Sequence, residues 1–330
     1  MGRYEELKNK IDKNQYFKVV CGAGNEDPEE VRKLALIYTL AGTTAIDVSA
    51  NVEVVKSAVK GINKAMQLSS RLGRKIKLRP FITVSVGLKG DPHVQKAIIN
   101  SLKCESCGNC LKVCPQKAIT NDFNVKEFRC IGCEKCLNVC NTEAISFYHK
   151  KIDFNKILPK CIKYGAETLE LHAITLNDKE VFNDWKIIDS LIPNNFISMC
   201  IDRNFLSNQH LIKRINKAKE ITGERLVIQA DGVPMSGGND DHNTTLQAIA
   251  IADIIRKNKI STAIIASGGT NSKTRELADL CGVTINGIAI GTHARKILSK
   301  YIEKKNFEND LDLIKKAVTI AEKLIKANVG

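Results

Sequence analysis

Apolar residues recur along this chain in two alternating rhythms. Short runs with every second residue apolar, such as FKVVCGAG (17–24), TAIDVSA (44–50) and RPFITVSVG (79–87), read as strands. Stretches with apolar residues three and four apart, such as PEEVRKLALIYTLAG (28–42) and VEVVKSAVKGINKAMQLSSRLG (52–73), read as amphipathic helices. Pro28 at the first turn and Gly42 past the end bound the earlier one. The alternation resumes with helix 153–166 and strand 168–173, helix 182–191 and strand 195–202, and helix 210–222 and strand 225–232. Helix 243–258 and strand 262–269, helix 272–282 and strand 287–292, and a closing helix near 309–327 follow. Eight strand–helix units predict an α/β fold of (β/α)8 TIM-like barrel type. A doubly wound open sheet is the alternative.

The period-two pattern also sorts the strand residues. Val19, Ile46, Val48, Ile82, Val84, Leu169, Leu171, Ile197, Met199, Ile201, Leu226 and Ile228 are expected to face the outer helices. Lys18, Asp47, Thr83, Ser85, Glu170, His172, Ser198, Cys200, Asp202, Gln229, Asp231 and Ser267 then face inward. So polar a lumen needs a hydrogen-bonded network or a polar ligand. Barrel enzymes place their chemistry at strand C-terminal ends. Asp47, His172, Asp202 and Asp231 hold such positions, and Lys18, His172 and Asp231 are the candidates for acid–base work. The alternative is a self-satisfied network, with Lys18 paired to Glu170 or Asp47. After the last two strands come glycine turns, SGGTNS (267–272) and GTH (291–293). Gly268, Gly269, Thr270, Gly291 and Thr292 form a candidate phosphate cradle, because glycines let backbone amides approach an anion. They also fit ordinary tight turns.

Between strands three and four lies a segment of different chemistry. Eight of the twelve cysteines fall within 37 residues. Cys104, Cys107, Cys110 and Cys114, and then Cys130, Cys133, Cys136 and Cys140, repeat one C-x2-C-x2-C-x3-C spacing. This is the bacterial two-cluster ferredoxin pattern, in which the fourth cysteine of each run serves the other cluster. Cys104, Cys107, Cys110 and Cys140 are therefore expected to hold one [4Fe–4S] cluster, and Cys130, Cys133, Cys136 and Cys114 a second. Gly108 and Gly132 suit the tight turns between ligands, and CPQKAI and CNTEAI repeat as an internal pseudo-twofold. Asn141 stands where the second run would carry proline, which predicts a looser turn. A zinc ribbon would need only two C-x2-C pairs.

The chain divides into a barrel over 1–87 and 153–330 and a ferredoxin-like insertion over 88–152, entered through a short helix at 92–101. An insertion after a barrel strand lies on the active-site face. The clusters are expected over the mouth, coupled to the loops after strands three, four and six.

Composition narrows the classes. Of 330 residues 43% are hydrophobic and 26% charged, which excludes general disorder, and 5% aromatic content implies an aliphatic core. The net charge of +14 suits an anionic partner or solvated lysine faces. Dispersed basic residues without a recognition motif argue against nucleic acid. No apolar run approaches the roughly 20 residues of a membrane helix, so no membrane insertion is expected. MGRYEELKNK lacks a signal-peptide core, and a cytoplasmic protein is expected.

Several segments together resemble the light-dependent period protein family, iron–sulfur input components of the cyanobacterial circadian clock. They are FKVVCGAG, LALIYTLAGTTAIDVSA, Asp91-Pro92-His93, the two cysteine runs, QADGVPMSGG (229–238) and IIASGGTNS (264–272). The resemblance implies a redox sensor that reports electron-transport state to regulatory or redox proteins. The residues themselves leave open an iron–sulfur oxidoreductase with flavin mononucleotide (FMN) or a small phosphorylated ligand in the barrel mouth.

Overall fold

The computed structural model describes residues 2–22, 24–88, 91, 94–149, 152–204, 206–232 and 239–329. The strands are β1 (Tyr16–Val20), β2 (Ala45–Ser49), β3 (Phe81–Gly87), β4 (Gln95–Ile99), β5 (Ile145–His149), β6 (Thr168–His172), β7 (Ile197–Ile201), β8 (Leu226–Asp231), β9 (Ala263–Ser267) and β10 (Gly287–Ile290). Eight of them close a parallel barrel in the order β1-β10-β9-β8-β7-β6-β3-β2. Closure settles the choice against an open sheet. β3 pairs directly with β6, Ser85 opposite Glu170 and Gly87 opposite His172, so the chain between them leaves the barrel and returns.

The helices are α1 (Arg3–Asp12), α2 (Pro28–Ala41), α3 (Val52–Leu68), α4 (Asn109–Val113), α5 (Phe154–Lys163), α6 (Asp178–Leu191), α7 (Asn208–Thr222), α8 (His242–Lys257), α9 (Thr274–Leu280), α10 (Thr292–Lys296), α11 (Ser299–Ile302) and α12 (Leu311–Val329). Local chemistry sets their ends. The Asp27 carboxylate accepts from the Glu29 and Glu30 amides at the start of α2, and Gly42 closes it with φ 92°. All twelve strand residues expected to face outward lie in the single core between barrel and helices. Each such burial contributes about 1.5–3 kcal/mol.

The structure departs from the sequence pattern at α1 and β4, and also at α10 and α11, short helices that follow β10 where the pattern predicts a strand to 292. The helix α1 was not signalled by the pattern. Its Leu7 and Ile11 plug the barrel bottom against Tyr16, Phe81, Phe196, Val227 and Ile265. Arg3 anchors it, lying 3.6 Å from the Phe81 ring centre and 2.7 Å from Glu167. The helix expected at 92–101 is instead strand β4, antiparallel to β5 from Gln95–His149 to Ile99–Ile145. Pro92 and His93 lie outside the described residues. The cause is tertiary. Ala97 is buried among the cysteines and Ile99 packs against them, while Ile98 is exposed, and a partner strand some fifty residues away supplies the hydrogen bonds.

Candidate functional site: a cysteine module on a polar barrel mouth

The cysteine segment repeats its backbone as well as its sequence. Ser106 and Gly132 have φ 55° and 70°, Gly108 and Glu134 have 77° and 57°, and Lys117 and Glu143 have 49° and 51°. These are equivalent positions of the two runs. The glycines at 108 and 132 were legible; the left-handed Ser106 and Glu134 opposite them were not, since neither residue type announces that conformation. The Ala118 amide donates to Cys114 Sγ and the Ala144 amide to Cys140 Sγ, each at 3.3 Å.

Cys114, Cys130, Cys133 and Cys136 line one cavity with Ala97, Ile119, Val125 and Ile131. Burial pushes the Cys136 thiol up to about 12, and the Cys133, Cys114 and Cys130 sulfurs add to it. Cys133 is raised in the same way. Crowded sulfurs in an apolar pocket, with the Ala97 amide 3.3 Å from Cys130 Sγ, suit a cluster that takes thiolates and is stabilised by N–H···S bonds. In the other run, burial raises Cys110, with Cys104 and Cys107 contributing. Burial would raise Cys140 as well, but Thr142 and backbone amides outweigh it and lower the thiol.

The module is seated on the loop after β1. Lys96 Nζ, 2% exposed, donates to the carbonyls of Gly24 and Cys130, both at 2.8 Å. The Glu26 amide donates to the Phe128 carbonyl at 2.7 Å, and Arg129 Nε to the Asp27 carboxylate at 2.9 Å. Lys117 pairs with Glu303, just past α11. Ile131, between two of the cysteines, also lines the barrel mouth. Among the described residues these contacts lie on the loop after β1 and, through Glu303, on the chain beyond β10. Residues 233–238 of the DGVPMSGG segment are outside the described residues. A local pattern cannot show which neighbouring loop receives an insertion.

Inside the barrel the polar residues form one network. Lys18 Nζ lies 2.6 Å from Glu170 and 3.1 Å from Asp47, so both pairings considered from the sequence occur together. Glu170 also accepts from Ser198 at 2.6 Å and Gln229 at 2.7 Å, and Ser85 donates to Asp47 at 2.6 Å. Burial opposes the charge on Lys18, but Glu170 and Asp47 outweigh it and raise the ammonium's pKa. Burial would raise Glu170; Lys18 and His172 hold it below the usual carboxylate range. Burial raises Asp47 even beside Lys18. His172 Nδ1 meets Asp91 at 2.9 Å, and Asp91 with Glu170 lifts the imidazole well above 6.5 against the effect of burial. Asp91 belongs to the segment leaving β3, so the entry to the module is tied into the lumen. Cys200 donates to Asp231 at 3.4 Å. Asp202, fully buried, receives the Asn204 amide at 3.0 Å. Glu170, His172 and Cys200 bring ligand atoms within 4.8 Å of one another, but the Lys18 ammonium already occupies the cation position at Glu170.

The mouth above this network is lined by Gly268, Gly269, Thr270, Gly291 and Thr292, together with His172, Gln229, Asp231 and Arg295. Gly268 has φ 68°, and a Cβ there would lie 1.8 Å from Asp231 Oδ1, so close approach of that carboxylate itself demands the glycine. Gly269 also has a positive φ, 71°. The Thr270 hydroxyl donates to the Ala289 carbonyl at 2.5 Å. Arg295 was not foreseen. The only trace in the sequence is an arginine four residues after Gly291.

Fold and site define a class: a (β/α)8 barrel that carries a 4Fe–4S binding domain at its mouth. Residues 97–120 match the family described as 4Fe-4S binding domain, and residues 161–327 match the light dependent period A C-terminal domain. The chain belongs to the light dependent period A family. The protein of that name from Synechococcus elongatus is 29% identical over 332 residues, covering 96% of this chain and 91% of the relative. Among solved structures, the YdjI aldolase from Escherichia coli K12 aligns at 10% identity and TM-score 0.48, over 99% of this chain and 96% of the aldolase. A tryptophan synthase from M. tuberculosis aligns at 8% identity and TM-score 0.46, over 97% and 98%. The barrel assignment rests on the strand order, not on these. Among the described residues no helix is long and apolar enough to cross a membrane.

Proposed function

We propose that this iron–sulfur protein is a redox sensor holding two [4Fe–4S] clusters, Cys104, Cys107, Cys110 and Cys140 binding one and Cys130, Cys133, Cys136 and Cys114 the other. The clusters supply one-electron exchange. The chain's own residues turn that into a structural report. Residues on the way from β3 into β4 touch both ends of the path: Asp91 holds His172 in the lumen, and Lys96 and Ala97 hold Cys130. The observation that carries the reading is buried Lys96, which ties the Cys130 carbonyl and the Gly24 carbonyl to one ammonium. Any shift of the Cys130 backbone is therefore felt in the loop after β1. Regulatory or redox proteins are the partners such a report would reach, and the family resemblance points to clock input as the setting.

Anaerobic purification with iron, sulfide and flavin quantified together tests this. About eight irons and eight sulfides per chain are expected. Stoichiometric zinc without acid-labile sulfide would overturn it. The second reading, an oxidoreductase with FMN or a phosphorylated substrate, is favoured by the glycine-lined mouth. Flavin in the purified protein, turning over with an electron donor, would establish it in place of the sensor.

A further inference from the structure

Arg295 is a group at the mouth whose chemistry is left incomplete. It is 9% exposed, and one guanidinium nitrogen donates to the Cys21 carbonyl at 2.8 Å. Its Nε meets no acceptor, and the Glu30 carboxylate acts on it through space without an ion-pair contact among the described residues. A buried guanidinium with an unmet donor and no ion-pair contact is costly, and a bound anion that accepts from it lowers the cost. A second buried atom in the same mouth is also unsatisfied. Gln229, 3% exposed, donates its amide nitrogen to Glu170, which fixes the side-chain orientation because a carboxylate only accepts. That leaves Gln229 Oε1 without a donor.

Arg295 also opens onto a second space. A crevice of about 990 Å3 separates the cysteine module from the barrel, with Pro115 and Gln116 on one wall and Thr292 and Arg295 on the other. Lys and Arg outnumber Asp and Glu around it, so its field draws anions toward the mouth.

We infer that the mouth binds a phosphomonoester on a hydroxyl-bearing chain, with the phosphate at Arg295 beside Gly269 and Thr292 and a hydroxyl donating to Gln229 Oε1. This rests on reading the mouth as a ligand site, not on the cluster count. The Asp231 carboxylate lines the same cavity, so the phosphate lies on the Arg295 side and hydroxyls face Asp231. Two sources share this chemistry: the ribityl phosphate of FMN and a free sugar phosphate.

The test is calorimetric titration of the full-length protein with clusters in place. FMN and ribose 5-phosphate are compared with riboflavin, ribose and inorganic phosphate. At least one ester is expected to bind saturably, with its unphosphorylated counterpart at least ten-fold weaker; which ester binds identifies the source. Arg295→Met should weaken that ester at least ten-fold and Arg295→Lys less. Overturning results are no saturable binding of either ester, equal binding of the unphosphorylated counterpart, or unchanged affinity in Arg295→Met. Inorganic phosphate binding as tightly as the ester would remove the role given to Gln229. If Arg295→Met fails to fold, the comparison within the unaltered protein still decides. Iron and sulfide measured on the same sample report separately on the clusters.

Discussion

Lys18 lies between two carboxylates in the centre of the barrel, 2% exposed. Removing one partner of a buried ion pair leaves an uncompensated charge, at a cost of about 3–5 kcal/mol. Lys18→Met should lower stability by that order in chemical denaturation, and a Lys18→Met, Glu170→Gln double variant should recover part of it. The same network sets the pH dependence. Glu170 is lowered from 4.5, so its stabilisation is present above that value and is lost as pH falls through the folded pKa. His172 is raised above 6.5, so its stabilisation is complete below 6.5 and declines as pH rises toward its folded pKa. Stability should therefore fall on both sides, and His172→Gln should flatten the slope above 6.5. The inward polar set was legible because a strand alternates with period two. Asp91 and Arg295, which complete the site, sit outside the strands, where no periodicity assigns a direction.

At the scale of elements, two small pieces hold the ends of the barrel. α1 closes the bottom with Leu7 and Ile11, 2% and 4% exposed. Leu7→Ala should cost about 2–5 kcal/mol by opening a cavity under Tyr16 and Phe81, measurable as a lower denaturation midpoint. At the top, the pseudo-twofold of the cysteine runs makes a division of labour testable. Cys114→Ser should mainly deplete the cluster of Cys130, Cys133 and Cys136, leaving about half the iron. Loss of all iron would mean that the two sites fold as one. The run spacing, the repeat and the eight barrel strands were readable because each is a local signal. β4 was not, because its partner β5 lies across the whole module.

For the whole molecule, the insertion leaves the barrel after β3, which pairs directly with β6. Its position after β3 was visible in the order of motifs, and so was its presence on the strand C-terminal face. Its seat on the loop after β1 was not, since Lys96, Arg129 and Asp27 are far apart in sequence and gain meaning only together. Small metal modules lose structure without their metal. Cluster removal should release residues 94–149 and, through Lys96, the loop at 24–27. Lys96→Met should keep the iron but loosen that loop. The most direct measurement is hydrogen exchange on the full-length protein with and without clusters. Faster exchange at residues 24–27 in the cluster-free form, with the outer helices α6 and α7 unchanged, is the expected result. Identical exchange at 24–27 in both forms would contradict a structural link between the clusters and the barrel.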